Sequence, residues 1–547
     1  MSGLSAEKGL RFMKLKSTAL HFEIMTGSTK PSGYIRNSYR EGGTVKHQTI
    51  ARINGLPIEQ LENMKAAFEG KTVKTDDIKI SEGREYGASA MLFELAKKIG
   101  LDKLIYSRLE LWVRCVLAMI IGRIVYQGSK LALSKVITYS CLWEVCGVKD
   151  DIDVDKHCYD AMDELLERQE SIQKKFAKKH LTNGSAILYD ITSSYFEGEF
   201  DESELVDFGY NRDKKRGKKQ IVIGLICTRE GCPVAVEVFR GNTNDGSTVQ
   251  DKIAEIKGKY GVSDFVFVGD RGMLTRKNID SCEDISSITA LTHAAMKELC
   301  EEKGVQLSLF DEKVVNEIVL PDQPDVRYAL RRNPRRRDEE CRTRQSIIAK
   351  TEEKLKEIAV PKRKTDDKTL AARAAKIFAK YKTEKYFSWD IVDTKITFSR
   401  NTDRIANEEL YDGLYVIRGD VSPELMTIQD IVLTYKSLIN VEQAFRNLKT
   451  AQLEIRPIYH RTDDRIKAHV FLCMLAYYLL WHMNKELADV YDSNNDYTHC
   501  YVLEVMKSLQ KCKLTVGNTF FYAIAEPNEL QKKVLKSTIG KDSWPTA

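Results

Sequence analysis

Between Ala186 and Gly272 the chain carries five short segments whose order leaves few folds open to it. Ala186–Phe196 (AILYDITSSYF) is rich in β-branched and aromatic residues and reads as a strand, and Gln220–Cys227 (QIVIGLIC) reads as a second. Thr228-Arg229-Glu230-Gly231 is a hairpin turn into a third strand, Pro233–Phe239. The stretch Gly241–Gly246 (GNTNDG) breaks the pattern, and Ser247 to Tyr260 follows as a helix with Ser247 as its cap. Asp264–Val268 begins a short apolar strand that ends at Gly269-Asp270-Arg271-Gly272. The order β-β-β-α-β, with an antiparallel meander first, predicts an α/β fold with a mixed sheet rather than a doubly wound parallel one.

The rest of the chain is organised around this core. Residues 1–87 read as a strand-rich N-terminal unit, with eight Lys or Arg and two acidic residues between Arg11 and Arg52. It is either a solvated basic β unit or a contact for DNA ends. Residues 88–180 are helical, with Leu92, Leu95, Ala96 and Ile99 at helical spacing. Residues 181–274 and 426–485 form the core, and 275–425 interrupt it as an insertion with some β structure. That insertion holds Arg327–Arg344, with eight Arg against three acidic residues, and strand-like pieces at Tyr386–Val392 and Gly413–Arg418. Thr427–Lys449 is expected as one long helix, Ile466–Met483 as a very apolar one, and 486–547 as a helical tail.

At 547 residues the chain should hold several domains. A hydrophobic fraction of 43% with 30% charged residues excludes a disordered chain. The net charge of +6 permits nucleic-acid binding without demanding it. None of the twelve cysteines forms a metal-type array; the nearest spacings, Cys141/Cys146 and Cys227/Cys232, have no matching second pair. The apolar runs Val116–Ile121 and Phe471–Trp481 are short of a membrane span. With no signal-peptide pattern at the N-terminus, the expectation is a cytoplasmic protein with no membrane partner.

Three carboxylates stand in expensive places. Asp190 lies mid-strand, where Asp is disfavoured and costly to bury unpaired. Asp270 follows an apolar strand directly, where ligands bind in open α/β sheets. Glu442 fills the place missing from the stripe Ile428, Ile431, Tyr435, Leu438, Phe445, so the helix turns one carboxylate toward the core. Each has a plain structural alternative: a satisfied strand Asp, a turn Asp, a buried salt bridge. Gathered around one core, the three favour a shared metal site. Mg²⁺ prefers carboxylate oxygens, and two ions roughly 4 Å apart can activate a nucleophile and stabilise a leaving oxygen. Asp190 would bridge both ions, and Asp270 and Glu442 would each complete one.

The same segments resemble the insertion-sequence DDE transposases with an RNase H-like core, in the branch with a Tyr-x2-Arg-x3-Glu-x6-Lys signature. Here that segment has Tyr435, Glu442 and Lys449 at the family spacing; Leu438 stands where the family usually has Arg, and Arg446 is the candidate to replace it. Tyr189–Glu197 resembles the first-Asp strand, Gly241–Asp245 the loop after the third strand, and Val268–Gly272 the second-Asp motif. Ile458-Tyr459-His460-Arg461 and Asp464–His469 resemble the segment after the catalytic helix, and Ser38–Gly43 resembles one subgroup of these elements. The resemblance implies a homodimer acting on double-stranded DNA, namely terminal inverted repeats and target DNA. It implies nicking by water followed by strand transfer from the freed 3′-hydroxyl, with Mg²⁺ as cofactor and Mn²⁺ as substitute. The 171 residues between Asp270 and Glu442 leave room for the insertion found in relatives that pass through a DNA hairpin. It also implies a prokaryotic source, with the protein at the nucleoid when bound to DNA.

Basic residues complete the expectation. Tyr435, Lys449, Arg271, Arg446, His460, Arg461 and Arg465 are candidate DNA contacts, as are Lys215 and Arg216 in the run Arg212–Lys219, which is otherwise a solvated hairpin tip. His469 is either another such contact or a satisfied helix histidine. Two other functions remain open from sequence: a metal-dependent nuclease of the same core that never joins strands, and a non-catalytic DNA-binding protein derived from a transposase.

Overall fold

In the computed structural model the described residues are 20–26, 31–70, 78–149, 151–197, 200, 202–212, 215, 217–280, 285–302, 315–359, 366–449, 453, 455–456, 458–492, 497–516 and 519–541. The chain divides into two compact units, one of residues 1–100, 117–154 and 482–547, the other of 101–116 and 155–481. In the first unit, β1 (Leu20–Met25), β2 (Ser32–Glu41) and β3 (Thr44–Asn54) form an antiparallel meander. Arg36 and Arg52 both lie over the Tyr34 ring, at 5.0 and 5.4 Å. β4 (Ile78–Glu85) ends in a buried acid: Glu85 accepts hydrogen bonds from the hydroxyls of Ser89, Tyr126 and Ser140, which replace its lost hydration.

The second unit is built on an eight-stranded mixed sheet. β5 (Ser185–Tyr195), β6 (Gln220–Thr228) and β7 (Pro233–Arg240) form the expected meander, turning at Gly231 with φ of 85°. β6 is buried along its whole length and reads as an unbroken apolar run, as a strand covered on both faces must. The helix Val249–Gly258 returns the chain to β8 (Phe265–Val268), which pairs parallel with β5. β9 (Ser286–Ala290) adds a further parallel neighbour. β10 (Asn316–Leu320), β11 (Gln323–Arg332) and β14 (Leu414–Gly419) extend the same sheet, giving the order β10-β11-β14-β9-β8-β5-β6-β7.

The stretch 275–425 is therefore not one inserted body. Its first and last strands belong to the core sheet, and a separate core forms within 334–409. There the helices Pro334–Ala359 and Asp367–Tyr381 pack with the hairpin β12 (Phe387–Val392) and β13 (Lys395–Arg400) around Ile348, Leu355, Leu370, Phe378 and Phe387. The pairing of β11 with β14 joins residues more than eighty positions apart, a distance local periodicity cannot span. Two arginines of the basic cluster are structural: Arg327 donates to the carbonyls of Val421 and Met426 and pairs with Glu317, and buried Arg344 pairs with Asp412.

Two further expectations change. The expected single helix 427–449 is two, Ile428–Lys436 and Leu438–Lys449, meeting at Ser437; the first opens on a capping box of Thr427 and Asp430. The expected helical tail contains a hairpin, β15 (Gln510–Val516) and β16 (Thr519–Ile524), that pairs with β4 in the first unit. The helix Asp463–Glu486 is long and apolar enough to cross a bilayer, and most of it is buried inside the protein, as in a core helix.

Candidate functional site

Sheet register brings the first two carboxylates together. Leu188 on β5 pairs with Val268 on β8, parallel, and each chain then runs two residues further, to Asp190 and to Asp270. The two acids thus lie at the same level, Asp190 within β5 and Asp270 just past the end of β8. Asp190 is half-buried, and its Oδ1 accepts the Ile191 amide at 2.8 Å. Asp270 is exposed and opens a turn in which its carbonyl accepts the amides of Met273 and Leu274, at 2.9 and 3.0 Å. That turn frees the carboxylate from the sheet ladder.

The helix Leu438–Lys449 packs on β5 and supplies the third. Its buried side is Leu438, Val441, Ala444, Phe445 and Leu448; Glu442 is exposed, at the edge of that stripe rather than within it. The stripe positions Ile428, Ile431, Leu438 and Phe445 are buried as expected, and the Glu442 carboxylate is turned to solvent, not into the core.

The Asp190 carboxyl is pushed up to about 7, chiefly by burial and in smaller part by the Asp270 and Glu442 carboxylates, against the Ile191 hydrogen bond and the Arg212 cation. Tyr435 is pushed up to about 12 by burial and by Asp270 and Glu442, against Arg271. Asp270 and Glu442 thus act on both Asp190 and Tyr435, with Arg212 opposing them at Asp190 and Arg271 at Tyr435.

Arg212 is the neighbour that sequence reading did not single out. Its amide donates to Ser193 Oγ on β5 at 3.1 Å, and its guanidinium pairs with Asp245 in the loop after β7. In sequence it was only the first cation of a Lys-rich run, with nothing to separate it from the rest.

The other candidates spread more widely. Arg446 and Arg461 are exposed, and Lys449 is half-buried. Lys215 is exposed, and Arg216 lies outside the described residues. His460 sits edge-on to Tyr159 at 5.9 Å and lies 5.3 Å from the His469 ring. Arg465 is held by Asp163 at 2.7 Å and lies over the Tyr159 ring, so its charge is used within the fold. His469 is buried, with Nε2 3.2 Å from the Ile455 carbonyl, as a satisfied helix histidine. Beyond Asp270 a cavity of about 560 Å³ is bounded by Arg271, Thr275, Thr289 and Arg418.

The chain matches the transposase DDE domain family over residues 182–479, just over half its length. The matched span begins just before β5 and ends within the Asp463–Glu486 helix, so it contains all three carboxylates. No curated protein matches the sequence significantly.

Proposed function

From the premise that the chain belongs to the insertion-sequence DDE transposases, which move DNA by cutting and rejoining strands, we propose that Asp190, Asp270 and Glu442 are the catalytic carboxylates of an RNase H-like core. The protein cleaves double-stranded DNA at the terminal inverted repeats of its element. It then joins the freed 3′-hydroxyl to target DNA, acting as a homodimer. The observation that carries this reading is the strand register that sets Asp190 level with Asp270, with the Glu442 helix packed on the same strand β5.

The donor set fits two Mg²⁺ ions, with Mn²⁺ as a substitute; their chemistry when bound is activation of the attacking oxygen and stabilisation of the leaving one. Asp190 would contact both ions, and Asp270 and Glu442, both exposed, would each complete one. Tyr435, half-buried and raised first by that burial and then by its acidic neighbours, stays protonated and can donate to a phosphate oxygen. Arg271, Arg446, Lys449, His460, Arg461 and Lys215 contact the backbone and set register without reading sequence.

The test uses a linear donor carrying the element ends found beside the gene, a supercoiled target and Mg²⁺. The expected products are nicked 3′-hydroxyl ends and joined strands, both lost in Glu442→Gln protein that still binds the donor. Full activity in that variant would remove the catalytic assignment. Nicking without joining would reduce the activity to that of a nuclease.

A further inference from the structure

Two aromatic side chains on the segment that leads into Arg212 have no part in the mechanism above. On the segment between β5 and β6, Phe208 is 57% and Tyr210 is 86% exposed. The backbone that carries them is firmly held. Asp207 and Gln220 exchange both backbone hydrogen bonds, at 3.0 and 2.8 Å. The Gln220 side chain donates to the carbonyls of Tyr210 and Gly241, at 3.1 and 2.8 Å. The Asp207 carboxylate accepts from Arg240 and Asn242, at 3.1 and 3.0 Å. Gly209 lies flush against the chain at Gly241, where any Cβ would collide with the Gly241 carbonyl. With Gly209 turned inward, the residues on either side of it face outward. Anchoring continues at Arg212, whose amide is bound to Ser193 and whose charge acts on Asp190. A rigid loop thus presents two rings to solvent a few residues from a cation of the proposed active site.

We propose that Phe208 and Tyr210 form a stacking platform for unpaired bases of the DNA being processed, giving the protein a preference for DNA ends with unpaired bases over fully paired ends. The proposal rests on the DNA-processing reading above. Every nucleobase has a π-face, so stacking on Phe and Tyr holds single-stranded DNA whatever its sequence. The backbone of such a strand needs nearby cations, and residues 208–219 carry six Lys or Arg against one acid. That composition argues against a protein partner, because Lys is depleted in protein–protein interfaces.

The experiment compares the full-length wild type with Phe208→Ala, Tyr210→Ala, the double variant and Tyr210→Phe. The probes are a blunt duplex and the same duplex with a short unpaired tail carrying 2-aminopurine, in EDTA so that no cleavage intervenes. The wild type should bind the tailed duplex roughly 10-fold tighter than the blunt one and quench the 2-aminopurine emission. The double variant should lose the preference and the quenching while keeping its affinity for the blunt duplex and its Tm. Tyr210→Phe, which retains the ring, should behave as the wild type. Equal wild-type affinity for the two duplexes, with no quenching, overturns the platform and leaves the DNA reading intact. Binding to neither duplex overturns both. Equal weakening on both duplexes in the alanine variants makes the loop an ordinary backbone contact and overturns the platform. A change in oligomeric state with the preference retained assigns the rings to contact between copies and overturns it too.

Discussion

Glu408 and Asp190 are acids of the same unit, both drawn away from water, and they are treated in opposite ways. Burial alone would raise the Glu408 carboxyl, but hydrogen bonds and charge from Lys297 and Lys385, at 2.6 and 2.9 Å, bring it down to about 2. Asp190 is raised to about 7, first by burial and then by two further acids, with one opposing arginine. The first arrangement is complete: an anion with its cations supplied by the protein. In the second, no cation lowers the buried acid to its ordinary range, which is what the proposed cation site would require. The same contrast runs through the arginines, since Arg344 and Arg465 are committed to Asp412 and Asp163.

The sharpest way to break this comparison is to remove one acid from each region. Glu442→Gln should lower strand cleavage by roughly 1,000-fold, the scale of losing one electrostatic contact to developing charge, with little change in thermal stability. Glu408→Gln should do the reverse, leaving cleavage per folded molecule near wild type. If both variants lose activity and stability together, the division between neutralised and open acids is wrong.

Stability measurements give the next effect. Glu408→Gln should cost about 2–3 kcal/mol in urea unfolding at neutral pH, because two cations lose their anion. The folded value is depressed, so the stability it contributes is present above the ordinary value of 4.5 and is lost as pH falls toward about 2. The deficit of the variant should therefore shrink across that acidic window.

Asp190 carries the opposite sign. Its folded value is raised, so ionising it opposes folding, and that penalty grows as pH rises from 3.8 through about 7. In metal-free protein Asp190→Asn should be more stable than wild type by roughly 2 kcal/mol at pH 8, with the gain vanishing below pH 4. Adding Mn²⁺ should stabilise the wild type and not the variant, which reverses the order. A variant less stable than wild type at every pH would mean that Asp190 is an ordinary satisfied strand residue.

The smallest effects belong to the exposed cations. Lys215→Ala and Arg461→Ala should each weaken duplex binding only a few-fold and reduce the dependence of log affinity on log salt by about one. Arg465→Ala should leave the salt slope unchanged and lower Tm instead, since its partner is Asp163.

Much of the core was legible locally. The meander β5–β7, the helix after it and the short strand β8 follow from β-branched runs, a glycine turn and helical spacing. The three acids stood out because each occupies a place where a carboxylate is costly. The orientation of Glu442 was not legible: periodicity put it in the buried stripe, and the structure has it at the exposed edge, between buried Val441 and Phe445. Arg212 was hidden among equivalent cations. The extension of the sheet by β9, β10, β11 and β14 and the pairing of β15 with β4 were hidden by distance along the chain.

The amino-acid sequence by itself determined the alternation of strands and helices in the core and the placing of Asp190 mid-strand, against its propensity. Only the tertiary structure decided which acids are neutralised and which are not, since Lys297, Lys385 and Arg212 lie far in sequence from the acids they act on. Periodicity and propensity are local properties of the chain. The field at a carboxylate is a sum over every charge folded near it, and that sum exists only once the chain has closed on itself.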